Sequence, residues 1–126
     1  PNNFRFPWGN EINGSYANYF KSGDPFEPGS TPVGFFDGSI QDTFQTSKAE
    51  SYYGCYDMAG NAWEWTRQPW NSETPYHKGK GGGFNYHSSA HVQVYYHSSY
   101  GPSVRPPLDM CNVSDGFRVV FKTSRA

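Results

Sequence analysis

Apolar positions along this 126-residue chain never keep a helical period for more than about two turns. Its 14 glycines and 10 prolines are spread throughout, which favours short strands joined by long ordered loops over long helices. One short helix fits Gln41 to Glu50. Strands are predicted at Asn61–Thr66, Gly82–Asn85, Val92–Tyr96 and Phe117–Phe121. The last two are rich in the β-branched and aromatic residues that suit a pleated surface. Val119-Val120-Phe121 lacks alternation, as a strand covered on both faces would. Residues 97–115 hold three prolines and no periodicity, and read as one long ordered loop.

Composition changes the expected core rather than the fold class. The chain holds 10 Phe, 10 Tyr and 4 Trp but a single leucine, Leu108. Each buried aromatic ring removes roughly 150–250 Å² from water, so a few large rings can do what aliphatic residues usually do. Few aliphatics with high net charge would indicate disorder, but the formal charge is −1, and a globular single domain over 1–126 is expected. That balance, without a Lys/Arg cluster, weighs against nucleic acid as a main partner. No apolar run approaches the roughly 20 residues of a membrane span. Two cysteines, Cys55 and Cys111, allow at most one internal disulfide and do not decide a redox compartment.

The densest chemical signal is Gly54-Cys-Tyr-Asp-Met-Ala-Gly-Asn-Ala-Trp-Glu-Trp-Thr66. A turn at Gly60-Asn61 would let Asp57, Glu64 and the intervening carbonyls face one point. Such all-oxygen clusters suit Ca²⁺, which takes six to eight hard ligands in flexible geometry. The same residues also describe a tight turn entering a half-buried strand with solvated acids.

This segment resembles the signature of the formylglycine-generating, sulfatase-modifying enzyme family, whose fold is a variant of the C-type lectin fold. Further matches follow in the family's order. They are Phe6-Pro7-Trp8-Gly9-Asn10, Ala17-Asn18-Tyr19, Ser22-Gly23-Asp24-Pro25-Phe26-Glu27, Thr31-Pro32-Val33-Gly34-Phe35-Phe36, Gly81-Gly82-Gly83-Phe84 and Gly116-Phe117-Arg118-Val119-Val120. The resemblance covers nearly the whole chain and corresponds to the C-terminal part of the family's domain. It implies an α+β, C-type lectin-like fold with short antiparallel strands and extensive ordered loops. It also implies that Cys55 is a buried free thiol, because the family usually has an apolar residue there.

Two structural calcium sites are implied by the resemblance. One would use Asp57, the carbonyls of Gly60 and Ala62, and Glu64. The other would use Asn18, the Tyr19 carbonyl, Asp24 and the Phe26 carbonyl. Copper is not expected. Family enzymes that make formylglycine use two cysteines just after the Gly-Gly strand, and the corresponding positions here are Tyr86 and His91. Soft thiolates select Cu(I), and neither a phenol nor an imidazole supplies thiol redox chemistry. His87, His91 and His97 are candidates for a transition-metal centre. However, four extended residues span about 13 Å, and no acid lies between Glu73 and Asp109 to complete such a site. Lys80-Gly-Gly-Gly reads as a turn feeding a strand, since it lacks the spacing of a phosphate-binding loop.

Residues 84–100 carry a different message. Tyr, Ser, His and Asn make up twelve of the seventeen, the mix of rigid amphipathic rings and adaptable hydrogen-bonding groups found in antibody paratopes. The composition resembles that of variable proteins of diversity-generating retroelements, which use this lectin-like fold and randomise adenine-rich, Asn-type codons between the same two strands. Of the residue types in the segment, Gln93 alone lies outside the reach of such a codon. The expected contact residues are Asn85, Tyr86, His87, Ser88, Ser89 and His91, then Tyr95, Tyr96, His97, Ser98, Ser99 and Tyr100, with Val92 and Val94 as framework. The expected function is non-catalytic binding of a protein or other surface ligand. The competing expectation is a metal-dependent enzyme of the same family working through a different centre, with His91 and Tyr86.

Overall fold

The computed structural model describes residues 3–69, 73, 77–85, 88–97 and 115–119. Two small sheets and one 3-10 helix stand out among long ordered loops. Strands β1 (Ile40–Gln41) and β2 (Phe44–Gln45) form an antiparallel hairpin, pairing Ile40 with Gln45 and Gln41 with Phe44. The central strand β3 (Trp63–Pro69) is antiparallel to β4 (His77–Lys80) and parallel to β5 (Asp115–Gly116). The 3-10 helix η1 covers Ser89–Val92. Short antiparallel pairs and extensive loops are as the sequence implies. Helical content among the described residues is η1 alone.

Local chemistry explains where the elements depart from expectation. Gln41–Glu50 is not a helix but carries the hairpin. Asp42 takes φ +54° in its two-residue turn, Asp37 Oδ1 accepts from the Ser39 N–H and hydroxyl at 2.9 and 2.6 Å, and Thr46 Oγ1 donates to the Ser39 carbonyl at 2.7 Å. Such local side-chain bonds compete with helical ones. The predicted strand at Asn61–Thr66 exists, shifted to begin at Trp63.

Gly82–Asn85 is not a strand, since Gly81 and Gly82 adopt φ +93° and +74°, and the strand instead precedes them as β4. Val92–Tyr96 is the end of η1 and a following turn. Phe117 and Val119 lie outside β5 and are exposed, so Val119 is not covered on both faces. Phe121 and the interior of the 97–115 loop lie outside the described residues.

The core is aromatic, as the composition requires. One cluster joins Phe6, Ala59 and Val92, with Trp8, Ile12 and Tyr19 packed against it. A second joins Phe35, Phe36 and Ala49, flanked by Trp8, Tyr16 and Phe44. Trp8 belongs to both, stacking on Phe6 and on Tyr16 with ring centroids 5.7 Å away in each case. Phe35 is ringed edge-on by Phe26 and Phe36 at 5.2 and 5.1 Å, the arrangement that ring quadrupoles favour.

Candidate functional site

The Gly60-Asn61 turn is the knot that ties the loops together. Gly60 has φ +80°, and a Cβ there would lie 2.5 Å from the Asn18 carbonyl oxygen, so glycine is required on both counts. Asn61 follows at φ +67°, a left-handed conformation that asparagine tolerates. Its N–H donates to the Asn18 carbonyl at 2.7 Å and its carbonyl accepts from Phe84 N at 3.0 Å. The carboxamide accepts from Thr31 N at 2.9 Å and donates to the Thr31 carbonyl at 3.2 Å. Gly60 N donates to the Gly81 carbonyl at 2.7 Å. One dipeptide therefore holds the 18–31 loop on one side and the glycine-rich 81–84 segment on the other.

The residues of the Asn18 loop are of the oxygen-donor type that a hard cation takes. Asn18 is 1 % exposed. Its Nδ2 donates to the Gly29 carbonyl at 2.8 Å, while its Oδ1 is buried with no hydrogen-bond partner among the described residues. An oxygen left so is costly unless something fills the place. Asp24 is buried nearby in the chain, accepting from Ser22 Oγ at 2.7 Å and from Phe26 N at 2.9 Å. The Tyr19 and Phe26 carbonyls accept from Ser22 N and Gly29 N, each keeping a second lone pair. Burial raises the Tyr19 hydroxyl above its ordinary pKa.

The Asp57 loop has a different occupant. Arg118 Nε and Nη2 reach Glu64 Oε2 and Oε1 at 3.0 and 2.7 Å, and Nη2 also donates to the Tyr56 and Asp57 carbonyls at 3.0 Å. Asp57 Oδ2 accepts from Gly34 N at 2.7 Å, and the Gly60 carbonyl accepts from Ala62 N at 2.9 Å. Burial raises the Asp57 carboxyl above its usual value in spite of the lowering by the Gly34 bond and the Arg118 charge. Hydrogen bonding to Glu64 raises Arg118 further. Of the four implied calcium ligands, Glu64 is thus engaged by a guanidinium, while the Asp57 carboxylate and the Gly60 carbonyl accept backbone N–H groups.

Segment 84–97 divides into anchors and display. Val92 is 1 % exposed in the first cluster, against Gly82, where a Cβ would lie 2.7 Å from Val92 Cγ1. Lys80 Nζ donates to the Val94 and Tyr96 carbonyls at 3.0 and 3.1 Å, and burial, then Lys78, lowers its pKa. The half-buried Tyr96 lies near Trp63, with centroids 6.2 Å apart, and edge-on to His91 at 4.8 Å. His91 Nδ1 meets Ser88 Oγ at 3.2 Å. Ser88, Ala90, Val94 and Tyr95 are exposed, Tyr95 to 69 %. Ser89, Asn85 and His97 are half-buried. Val94 is thus surface and not framework, and Tyr96 is as much anchor as contact. Tyr86, His87, Ser98, Ser99 and Tyr100 lie outside the described residues.

Cys55 corrects an expectation: it is exposed, on a turn where its N–H bonds Ser51 Oγ at 3.1 Å. The 51–55 turn is closed by its own bonds, Ser51 N to the Cys55 carbonyl and Gly54 N to the Ser51 carbonyl, so position 55 faces outward. Among the described residues, no three His, Cys, Asp or Glu gather as a metal site, and no helix is long and apolar enough to cross a membrane.

Sequence reasoning missed three residues: the Asn61 carboxamide, Lys80 and Arg118. A signal existed for Lys80, because no Lys, Arg, Asp or Glu lies between it and Arg105, leaving one cation beside a long uncharged stretch.

A family model described as the sulfatase-modifying factor enzyme 1-like domain matches residues 2–123. With nearly the full length matched, this chain belongs to the sulfatase-modifying factor enzyme 1-like domain family.

Proposed function

We propose that this chain is a non-catalytic ligand-binding domain with a C-type lectin-like fold, one of the variable proteins of diversity-generating retroelements, displaying Tyr, Ser, His and Asn from residues 85–100. The observation that carries the reading is the division of labour in 88–97. Val92 is sunk in the core and Lys80 caps the carbonyls of residues 94 and 96, while Tyr95 and Ser88 face outward. A surface that must change its side chains without unfolding needs this kind of backbone anchoring. Tyrosine then offers large contact area with few rotatable bonds. Formylglycine chemistry in the family draws on two thiols, and the matching positions, Tyr86 and His91, carry none. A structural calcium ion held by Asn18, Asp24 and the carbonyls of Tyr19 and Phe26 belongs to the same proposal. The partner is a protein or other surface ligand, with no role for nucleic acid.

Two measurements test this. The purified domain, given copper, oxygen and a cysteine-containing sulfatase peptide, should form no formylglycine. The neighbouring DNA should hold a near-identical, adenine-rich copy of the segment encoding residues 84–120 beside a reverse transcriptase. Turnover of the peptide, or stoichiometric copper or iron in the protein, would instead establish an enzyme working through another centre.

A further inference from the structure

The geometry points to Arg118 as a built-in cation: its guanidinium occupies the oxygen cluster around Asp57 and Glu64, so that this loop takes no calcium. Four oxygens from three residues converge on it, namely both Glu64 carboxylate oxygens and the Tyr56 and Asp57 carbonyls. The Glu64 contact is the two-pronged type that makes arginine–carboxylate pairs strong and directional. All these acceptors are hard oxygens, the donor class that otherwise collects Ca²⁺.

Fold topology brings the arginine there. β5 lies parallel to β3 with Glu64 opposite Gly116, which sets Arg118 two residues beyond the pairing and beside the turn. Glu64 is half-buried and Arg118 exposed, with side-chain exposures of 22 % and 36 %. An arginine keeps its charge at every accessible pH, so a divalent ion entering the same oxygens would meet a positive group at contact distance. Asp57 is held elsewhere, by Gly34 N. The Glu64 charge is thus balanced within the chain, by a group that needs no metal supply. This inference stands whether or not residues 85–100 are a display surface.

Calcium stoichiometry tests it, read by isothermal titration and by metal analysis after equilibrium dialysis of the whole chain. The E64Q variant keeps the shape and one acceptor oxygen, and should bind as much calcium per chain as the parent. Arg118→Met should acquire one additional equivalent, lost again in the Arg118→Met/E64Q double variant. A loss of one equivalent in E64Q alone overturns the proposal, as does a folded Arg118→Met protein that gains none. If Arg118→Met does not fold, the E64Q comparison decides by itself: unchanged stoichiometry supports the built-in cation and a lost equivalent refutes it.

Discussion

The Asn61 carboxamide pairs with both backbone groups of Thr31, accepting from its N–H at 2.9 Å and donating to its carbonyl at 3.2 Å. A side chain thereby serves as the missing neighbouring strand for a loop residue thirty positions away. Thr31 is buried, so its backbone groups have no water to fall back on. Asn61→Gly keeps the left-handed backbone and removes the amide, leaving two buried groups unpaired. A loss of about 2–4 kcal/mol is expected in urea unfolding. Asn61→Asp keeps the acceptor but sets a carboxylate oxygen against the Thr31 carbonyl oxygen, so it should lose at least as much. A loss below about 1 kcal/mol in Asn61→Gly would mean that water replaces the amide at both groups.

Trp8 is expected to be the residue whose truncation uncouples the two aromatic clusters, because it stacks on Phe6 in one and on Tyr16 in the other. Trp8→Ala should destabilise by about 3 kcal/mol, and Trp8→Phe by much less. Thermal unfolding monitored by near-ultraviolet circular dichroism reads both. A Trp8→Ala shift of only a degree or two would mean the clusters are held together by their backbones.

Lys80 should govern the order of the 94–97 turn rather than global stability. Lys80→Met removes two donors from the carbonyls of Val94 and Tyr96, a loss of about 1–2 kcal/mol of local protection. Amide exchange at residues 94–97 should quicken roughly tenfold, with strand β3 unchanged. Unaltered exchange there would show that Val92 and Tyr96 anchor the turn without it.

Acid should loosen the β1–β2 hairpin through Asp37. The Ser39 hydroxyl and then the Ser39 N–H hold its carboxyl below its ordinary value of 3.8. An acid with a depressed folded pKa binds fewer protons folded than unfolded, so its stabilising effect is complete above the unfolded value and fades as pH falls through the folded one. The slope of melting temperature against pH between about 2 and 4 should therefore flatten in Asp37→Asn. An identical slope in both proteins would assign the acid sensitivity to other carboxylates.

On the proposed calcium site, metal removal should destabilise the chain through the Asn18 loop, whose buried Oδ1 has no hydrogen-bond partner among the described residues. At a hundredfold excess over Kd, a bound ion adds about 2.7 kcal/mol by mass action. A chelator should lower the melting temperature of the parent and leave Asn18→Ala unmoved. A chelator effect of the same size in Asn18→Ala would place the ion elsewhere.

Much of this molecule is legible from residue order alone. An aromatic core was required by a chain with one leucine, because nothing else could remove enough apolar surface from water. The Gly60-Asn61 turn and the strand led by Trp63 follow from a short run of turn and aromatic residues, and the ordered motifs carried the family. Those are local signals, and they survive in any fold the segment enters.

What tertiary structure decided is non-local. Glu64 and Arg118 are 54 positions apart, and only the parallel pairing of β5 with β3 makes a guanidinium the partner of that carboxylate. Lys80 reaches 14 and 16 residues ahead and supplies donors to carbonyls that a strand partner would satisfy if Val92–Tyr96 were extended. In both cases a cationic side chain brings its donors from far along the chain. Which acceptor is satisfied depends on which distant group arrives within about 3 Å, a distance that no reading of neighbours in sequence contains.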